Sequence, residues 1–311
     1  MVARRVREEN EKIHPVSRQR LQIVLLTVGA IAVYVGFRAL PTGTNLHQVD
    51  FDTRGKGMVE LCDPSNPQFV AVTTARSPVT MTLQGELPAV PGRESKLTLT
   101  LVTMTGKAVG PADVLVQHTR KLHLLVVDPT LRDYQHIHPE PAAKDGDWSF
   151  SFTPRLAGTY RVFADFVPVP TARSLYAGAD LPVTGEVAVN MNILSWDAEV
   201  EGYQFKLTPA APIHAGKVAD LTFTVTRPDG GVVPMEPVMD AYAHLVAFDQ
   251  GHSGFAHLHP NEISLTPPPD EKHPKLTFKI TIPNPGVYVI WAQVKLAGRE
   301  VFAPFWFEVA P

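Results

Sequence analysis

The sequence predicts an all-β protein, two tandem antiparallel β-sandwich domains behind one N-terminal transmembrane helix. Three observations predict it. Short alternating or apolar runs fill the chain after residue 40, separated by Pro, Gly, Asp and Asn clusters, as strands and turns require. A pattern of 17 residues occurs twice without a gap. One uncharged apolar run stands near the N-terminus, preceded by a basic segment.

In chain order, residues 1–20 carry Arg4, Arg5, Arg7, Lys12, Arg18 and Arg20 against Glu8, Glu9 and Glu11. That excess places the N-terminus in the cytoplasm. Leu21–Phe37 is uncharged and ends at Arg38, and its 17 residues reach the short end of the spanning range. We therefore expect a single-pass anchor at residues 21–38, with the body periplasmic or otherwise extracytoplasmic. A cleaved signal peptide competes, but it needs small residues after the run, where Gly36-Phe37-Arg38-Ala39-Leu40 stands. The body is exported on either reading. Residues 39–77 form a juxtamembrane segment with turn chemistry at Cys62-Asp-Pro-Ser-Asn-Pro67, expected to pack on the first repeat.

The remainder divides into repeats at 78–196 and 197–311. His123 through Pro139 aligns with His244 through Pro260 at one offset, 244 − 123 = 121. Downstream, Gly158-Thr-Tyr-Arg-Val-Phe-Ala-Asp-Phe166 matches Gly286-Val-Tyr-Val-Ile-Trp-Ala-Gln-Val294. Some seven short strands per repeat suggest an immunoglobulin- or cupredoxin-like sandwich. The Cys-Trp-Cys signature of true immunoglobulin domains is absent, since Cys62 is the one cysteine.

Six of the 12 histidines are placed by the repeat. On a strand, residues i and i+2 share a face. His136 with His138, and His257 with His259, therefore present paired imidazoles. In a hairpin centred near residue 130, His123 falls opposite one of the first pair, and His244 repeats this in the second copy. Three neutral imidazoles suit a transition metal, copper before zinc. Asp165 interrupts an apolar strand and could ligate or orient a ligand, whereas the second copy has Gln293 there, so its site would be weaker, differently tuned or vestigial.

The competing reading makes these histidines structural, with His-Pro capping a strand and His123 bonding a backbone carbonyl. Asp128 and Asp249 suit Asx-type turns, Tyr134 and Phe255 core positions, and Tyr160 and Tyr288 tyrosine corners. The four tryptophans suit packing. His14, His47, His118, His214 and His273 have no counterpart in the other repeat and receive no role, and His252 is private to the second.

Other chemistries find little support. A net charge of −3 argues against nucleic acid. There is no Gly-x-Ser-x-Gly, no phosphate loop and no His-Glu-x-x-His, so no catalytic residue is assigned and an enzyme is the less favoured class. The block from Leu122 to Glu140, with Gly158–Phe166, resembles a His-x-His-Pro module of exported bacterial proteins. That resemblance implies an immunoglobulin- or cupredoxin-like sandwich associated with heavy-metal or copper handling at the envelope. The resulting expectation is a membrane-anchored protein for metal binding, delivery or sensing beside a membrane complex or metal-handling partner. Its sites would be His123, His136 and His138 with Asp165, and His244, His257 and His259. The alternative is a metal-free interaction module or accessory subunit of a membrane complex.

Overall fold

A computed structural model describes residues 18–39, 67–75, 77–188 and 193–311. The apolar run forms α1 (Arg18–Ala39). Its described apolar side chains from Leu21 to Val35 are exposed. Among the described residues no helix is long and apolar enough to cross a membrane. His14, His47 and Cys62 lie outside the described residues.

The first repeat contains β1 (Val79–Gly85), β2 (Ser95–Thr103), β3 (Val114–Leu115), β4 (Leu122–Val127), β5 (Tyr134–Ile137), β6 (Glu140–Pro141), β7 (Asp147–Phe152), β8 (Gly158–Pro168) and β9 (Leu175–Val183). The second contains β10 (Asp197–Val200), β11 (Tyr203–Pro209), β12 (Val218–Thr226), β13 (Met235–Glu236), β14 (His244–Asp249), β15 (Phe255–Leu258), β16 (Lys275–Thr281), β17 (Gly286–Leu296) and β18 (Arg299–Val309). Both repeats pair these strands into two antiparallel sheets. One is β1-β2-β7-β6 in the first and β10-β11-β12-β16 in the second, where β11, β12 and β16 match β1, β2 and β7. The other is β5-β4-β8-β9 with β3 on the end of β8, matched by β15-β14-β17-β18 with β13 on the end of β17. The all-β architecture in two repeats is as the sequence predicts.

Strand parity decides what each sheet packs against. Leu122, Leu124 and Val126 of β4 enter the first domain's own core with Trp148, Tyr160 and Phe166. Leu125 and Val127 point the other way, into a third apolar cluster. That cluster joins Tyr134 and Phe163 of the first domain to Val246, Phe248, Phe255, Trp291 and Trp306 of the second. β4 is therefore buried at every position, with one face in its own sandwich and the other on the neighbouring domain.

The contact follows a local pseudo-twofold. Tyr134 meets Trp291 at 6.0 Å, and their counterparts Phe255 and Phe163 meet at 5.4 Å. Tyr134 also meets Phe302 at 5.8 Å, while Phe255 meets Tyr176 at 5.2 Å. Each domain offers the same patch to the other, as in an isologous dimer interface.

The segment before the first repeat was expected to pack on that repeat, and its described part packs on the second. Phe69 enters the second core. Val70 exchanges backbone hydrogen bonds with Phe255, its N–H donating at 2.8 Å and its carbonyl accepting at 3.1 Å. β15 is an edge strand whose backbone is open to this addition. A Cβ on Gly254 would stand 1.7 Å from the Val70 carbonyl oxygen, so this close approach requires glycine.

The turn and corner residues behave as expected. Asp128 is fully buried and accepts from the N–H groups of Thr130 at 2.8 Å, Arg132 at 2.6 Å and Asp133 at 2.7 Å. Asp249 repeats this more loosely, accepting from Ser253 at 2.8 Å and Gly254 at 3.3 Å. The Tyr160 and Tyr288 hydroxyls donate to the carbonyls of Leu156 and Asn284, four residues back. Replacing Asp128 with Ala orphans three backbone donors and is expected to cost about 2–4 kcal/mol in urea unfolding. Asp249→Ala should cost less. Equal or reversed costs would contradict this account of the two turns.

Candidate metal centre

The β4–β5 register pairs Leu124 with Ile137 and Leu125 with His136, so its continuation sets His123 opposite His138. The β14–β15 register pairs Leu245 with Leu258 and sets His244 opposite His259. Parity then points all six imidazoles to the face that packs on the other domain, beside Leu125, Tyr134, Val246 and Phe255. Ring centroids within the first triad stand 5.2, 5.0 and 4.7 Å apart. Those of the second stand 5.6, 4.8 and 4.7 Å apart. In each triad, one nitrogen per residue lies within 4.8 Å of the other two.

Hydrogen bonds set the tautomers of four of the six rings. His123 Nε2 lies 3.1 Å from the Gln117 carbonyl, and its counterpart His244 Nε2 lies 2.9 Å from the Val238 carbonyl. A carbonyl can only accept, so both rings donate from Nε2 and leave Nδ1 bare. His136 Nδ1 lies 2.8 Å from Gln293 Oε1, and His257 Nδ1 lies 3.3 Å from Asp165 Oδ2. These rings donate from Nδ1 and leave Nε2 bare. His123 Nδ1 and His136 Nε2 then face each other at 3.1 Å with two lone pairs and no proton between them. In the second triad, His244 Nδ1, His257 Nε2 and His259 Nε2 are buried with no hydrogen-bond partner, and His138 Nε2 is likewise unpartnered in the first.

Such an arrangement could hold a metal ion at its centre. Buried polar atoms ordinarily find partners, and each unpaired one costs about 1–3 kcal/mol. Zn–N bonds of about 2.0–2.1 Å in tetrahedral geometry would set ligand nitrogens roughly 3.3 Å apart, close to the 3.1 Å between His123 Nδ1 and His136 Nε2. The neutral imidazole is the ligating form, and burial favours it. Burial holds His123 down to about 4, with His257 adding to the effect. Burial likewise holds His138 and His257 down to about 3, and lowers His136, His244 and His259 well below the usual range.

Two features differ from expectation. Asp165 sits across from His123 in the β4–β8 register, yet its side chain accepts from His257 of the second repeat. Gln293, across from His244, accepts in turn from His136 of the first. Each backing group therefore serves the other domain's triad, because the sheets that carry them lie face to face. Burial raises the Asp165 carboxyl to about 6, with His123 and His118 opposing.

His118, given no role by the sequence, stacks on His259 with ring centroids 4.0 Å apart and planes at 21°. It lies in a two-residue turn between Gln117 and Arg120, with φ of 47° at His118 and 68° at Thr119. The matching turn between Val238 and Ala241 has φ of 48° at Met239 and 61° at Asp240. Its position in a turn at the domain contact was the missing signal. His252 also bridges the domains, with Nε2 3.2 Å from the Asp128 carbonyl. His214 pairs with the carbonyl of Pro311, and His273 with Asp270.

These features define a class: a tandem β-sandwich protein whose repeats close on each other around two histidine triads. The chain belongs to the family described as a domain of unknown function (DUF8832), which matches it twice, over residues 73–176 and 198–311. The resemblance to envelope modules of metal handling narrows to this, a family of unknown function present in two copies. No curated protein matches the chain. A protein of Corynebacterium diphtheriae described as membrane anchored is similar over 76% of this chain and 60% of its own, at 11% identity and a TM-score of 0.24. A transglutaminase of red sea bream is similar over 76% of this chain and 32% of its own, at 10% identity and a TM-score of 0.25. The chain thus spans less than two thirds of either structure, and at those scores neither likeness bears on fold or function.

Proposed function

We propose that this is a membrane-anchored, extracytoplasmic metal-binding protein that holds a transition metal, copper before zinc, in a histidine triad of each repeat. Its role is metal binding, delivery or sensing beside a metal-handling partner at the membrane. The single observation that carries this reading is the fixed tautomers, which leave bare, buried nitrogens converging in both domains. A structural histidine uses its ring nitrogens in hydrogen bonds, and these leave one each unused. The proposed ligands are His123, His136 and His138 in the first repeat and His244, His257 and His259 in the second. Asp165 orients rather than ligates. The anchor rests on the sequence alone, on the basic segment before Leu21 and the uncharged run after it, since no described helix is long and apolar enough to cross a membrane.

Metal analysis of the purified chain after exposure to copper or zinc tests the reading. The expected result is up to two bound equivalents, reduced at least tenfold in a His136/His138/His257/His259→Ala variant. Equal and negligible uptake by both proteins would leave the histidines as structural residues of an interaction module.

A further inference from the structure

We propose that the two triads form one paired centre with unequal sites, in which the second-repeat triad His244, His257 and His259, backed by Asp165 of the first domain, takes a divalent cation more tightly than the first-repeat triad backed by Gln293. The inference rests on the reading that the triads bind metal, and it reverses the ranking that the sequence suggests.

The two sites are geometric counterparts with different chemistry behind them. Both His136 and His257 donate Nδ1–H across the domain boundary and aim Nε2 at their own triad. Behind His257 stands a carboxylate, and behind His136 a neutral amide. A carboxylate that accepts from a ligating imidazole raises its basicity and fixes its orientation, and loss of such a partner typically costs 10–100-fold in metal affinity. The Asp165 side chain is 3% exposed, and its Oδ1 has no hydrogen-bond partner. Its negative charge is therefore screened little by water and acts directly on a cation held by His257.

The amide cannot substitute. Gln293 Nε2 donates to Glu300 Oε2 at 2.7 Å, which pins the amide with Oε1 toward His136. Glu300 is thus one hydrogen bond further from the first triad than Asp165 is from the second. A divalent ion in the first site is less well compensated. The His136 and His257 rings stand only 5.6 Å apart, so a first cation also opposes entry of a second. His118 stacked on His259 adds a further ring over the second site alone. Loading is therefore stepwise, second repeat before first.

Zinc titration of the metal-free full chain tests this, using variants that keep one site each. His136→Ala/His138→Ala retains the second site, and His257→Ala/His259→Ala retains the first. The second site is expected to bind Zn²⁺ at least tenfold tighter than the first. Asp165→Asn should remove that advantage with a 10–100-fold loss, confined to the second site. Gln293→Glu should tighten the first site by a similar factor, a gain that a merely structural role for this position would not produce. Equal affinities would overturn the proposal, as would a loss from Asp165→Asn that falls on the His123 site. No zinc binding by the unsubstituted chain would instead overturn the metal reading itself.

Discussion

Trp291→Ala is expected to lower the free energy of unfolding by about 3–5 kcal/mol, the range for truncating a buried aromatic. Trp291 is 6% exposed and belongs to the cluster that joins the domains. Its Nε1–H donates to the Leu131 carbonyl of the other domain at 3.3 Å, and its ring packs near Tyr134. Truncation opens a cavity there and leaves both sandwich cores intact. Urea unfolding should change from one cooperative transition to two, because each domain keeps its own core. Metal affinity should fall with it, since the bonds from His136 to Gln293 and from His257 to Asp165 both cross this boundary. Phe152→Ala, within the first core, supplies the contrast: a similar loss of stability with metal affinity retained by the folded protein. A Trp291→Ala cost under 1 kcal/mol would contradict the view that this cluster holds the repeats together.

Acidification of the metal-free protein should be the second large effect. Burial holds His118 and the six triad histidines below the ordinary value near 6.5. Above that pH both states hold these groups neutral, and no stability depends on them. Below it the unfolded chain takes up protons that the folded chain refuses, so stability falls as pH falls from about 6.5 toward 3–4. Each such group contributes about 1.4 kcal/mol per pH unit inside its window. Asp165 has the opposite sign. Its folded value of about 6 lies above 3.8, so its contribution is present below 3.8 and lost as pH rises through 6. One carboxyl opposes seven imidazoles, and the imidazoles win.

Against a typical total of 5–15 kcal/mol, two such histidines already matter within one or two pH units. The melting temperature of the metal-free chain should fall steeply between pH 6.5 and 4.5. Saturating zinc should shift that fall to lower pH, because bound metal keeps the ligands deprotonated. A melting temperature that stays flat to pH 4.5 without metal would refute the burial argument.

Much of the fold was readable from local pattern. Alternation in Trp148–Phe152 and the two matched segments reported sandwiches in tandem, and His-x-His parity put each pair on one face. What was not readable is where those faces go, since contact between two domains leaves no local period. A trace of it exists in Leu122–Val127, which is apolar wherever it is not histidine, whereas a strand with one wet face alternates. Continuous apolarity there reports two-sided burial, and Asp165 shares parity with Phe163 on the same hidden face. Without that contact, Asp165 could only be assigned to the triad of its own repeat. The packing of residues 67–75 on the second domain escaped for another reason. It is carried by backbone bonds to Phe255, which any sequence can make.

The pseudo-twofold also explains how such a centre could become lopsided. Two identical chains meeting through this patch would carry the same residue behind both histidines, either two carboxylates or two amides, and the same residue at both turns. Joining the copies in one polypeptide removes that constraint and lets one half mutate without the other. It also makes the encounter intramolecular, so the halves of the centre face each other at any dilution. Asp165 against Gln293 and His118 against Met239 are differences that a dimer of identical chains could not keep.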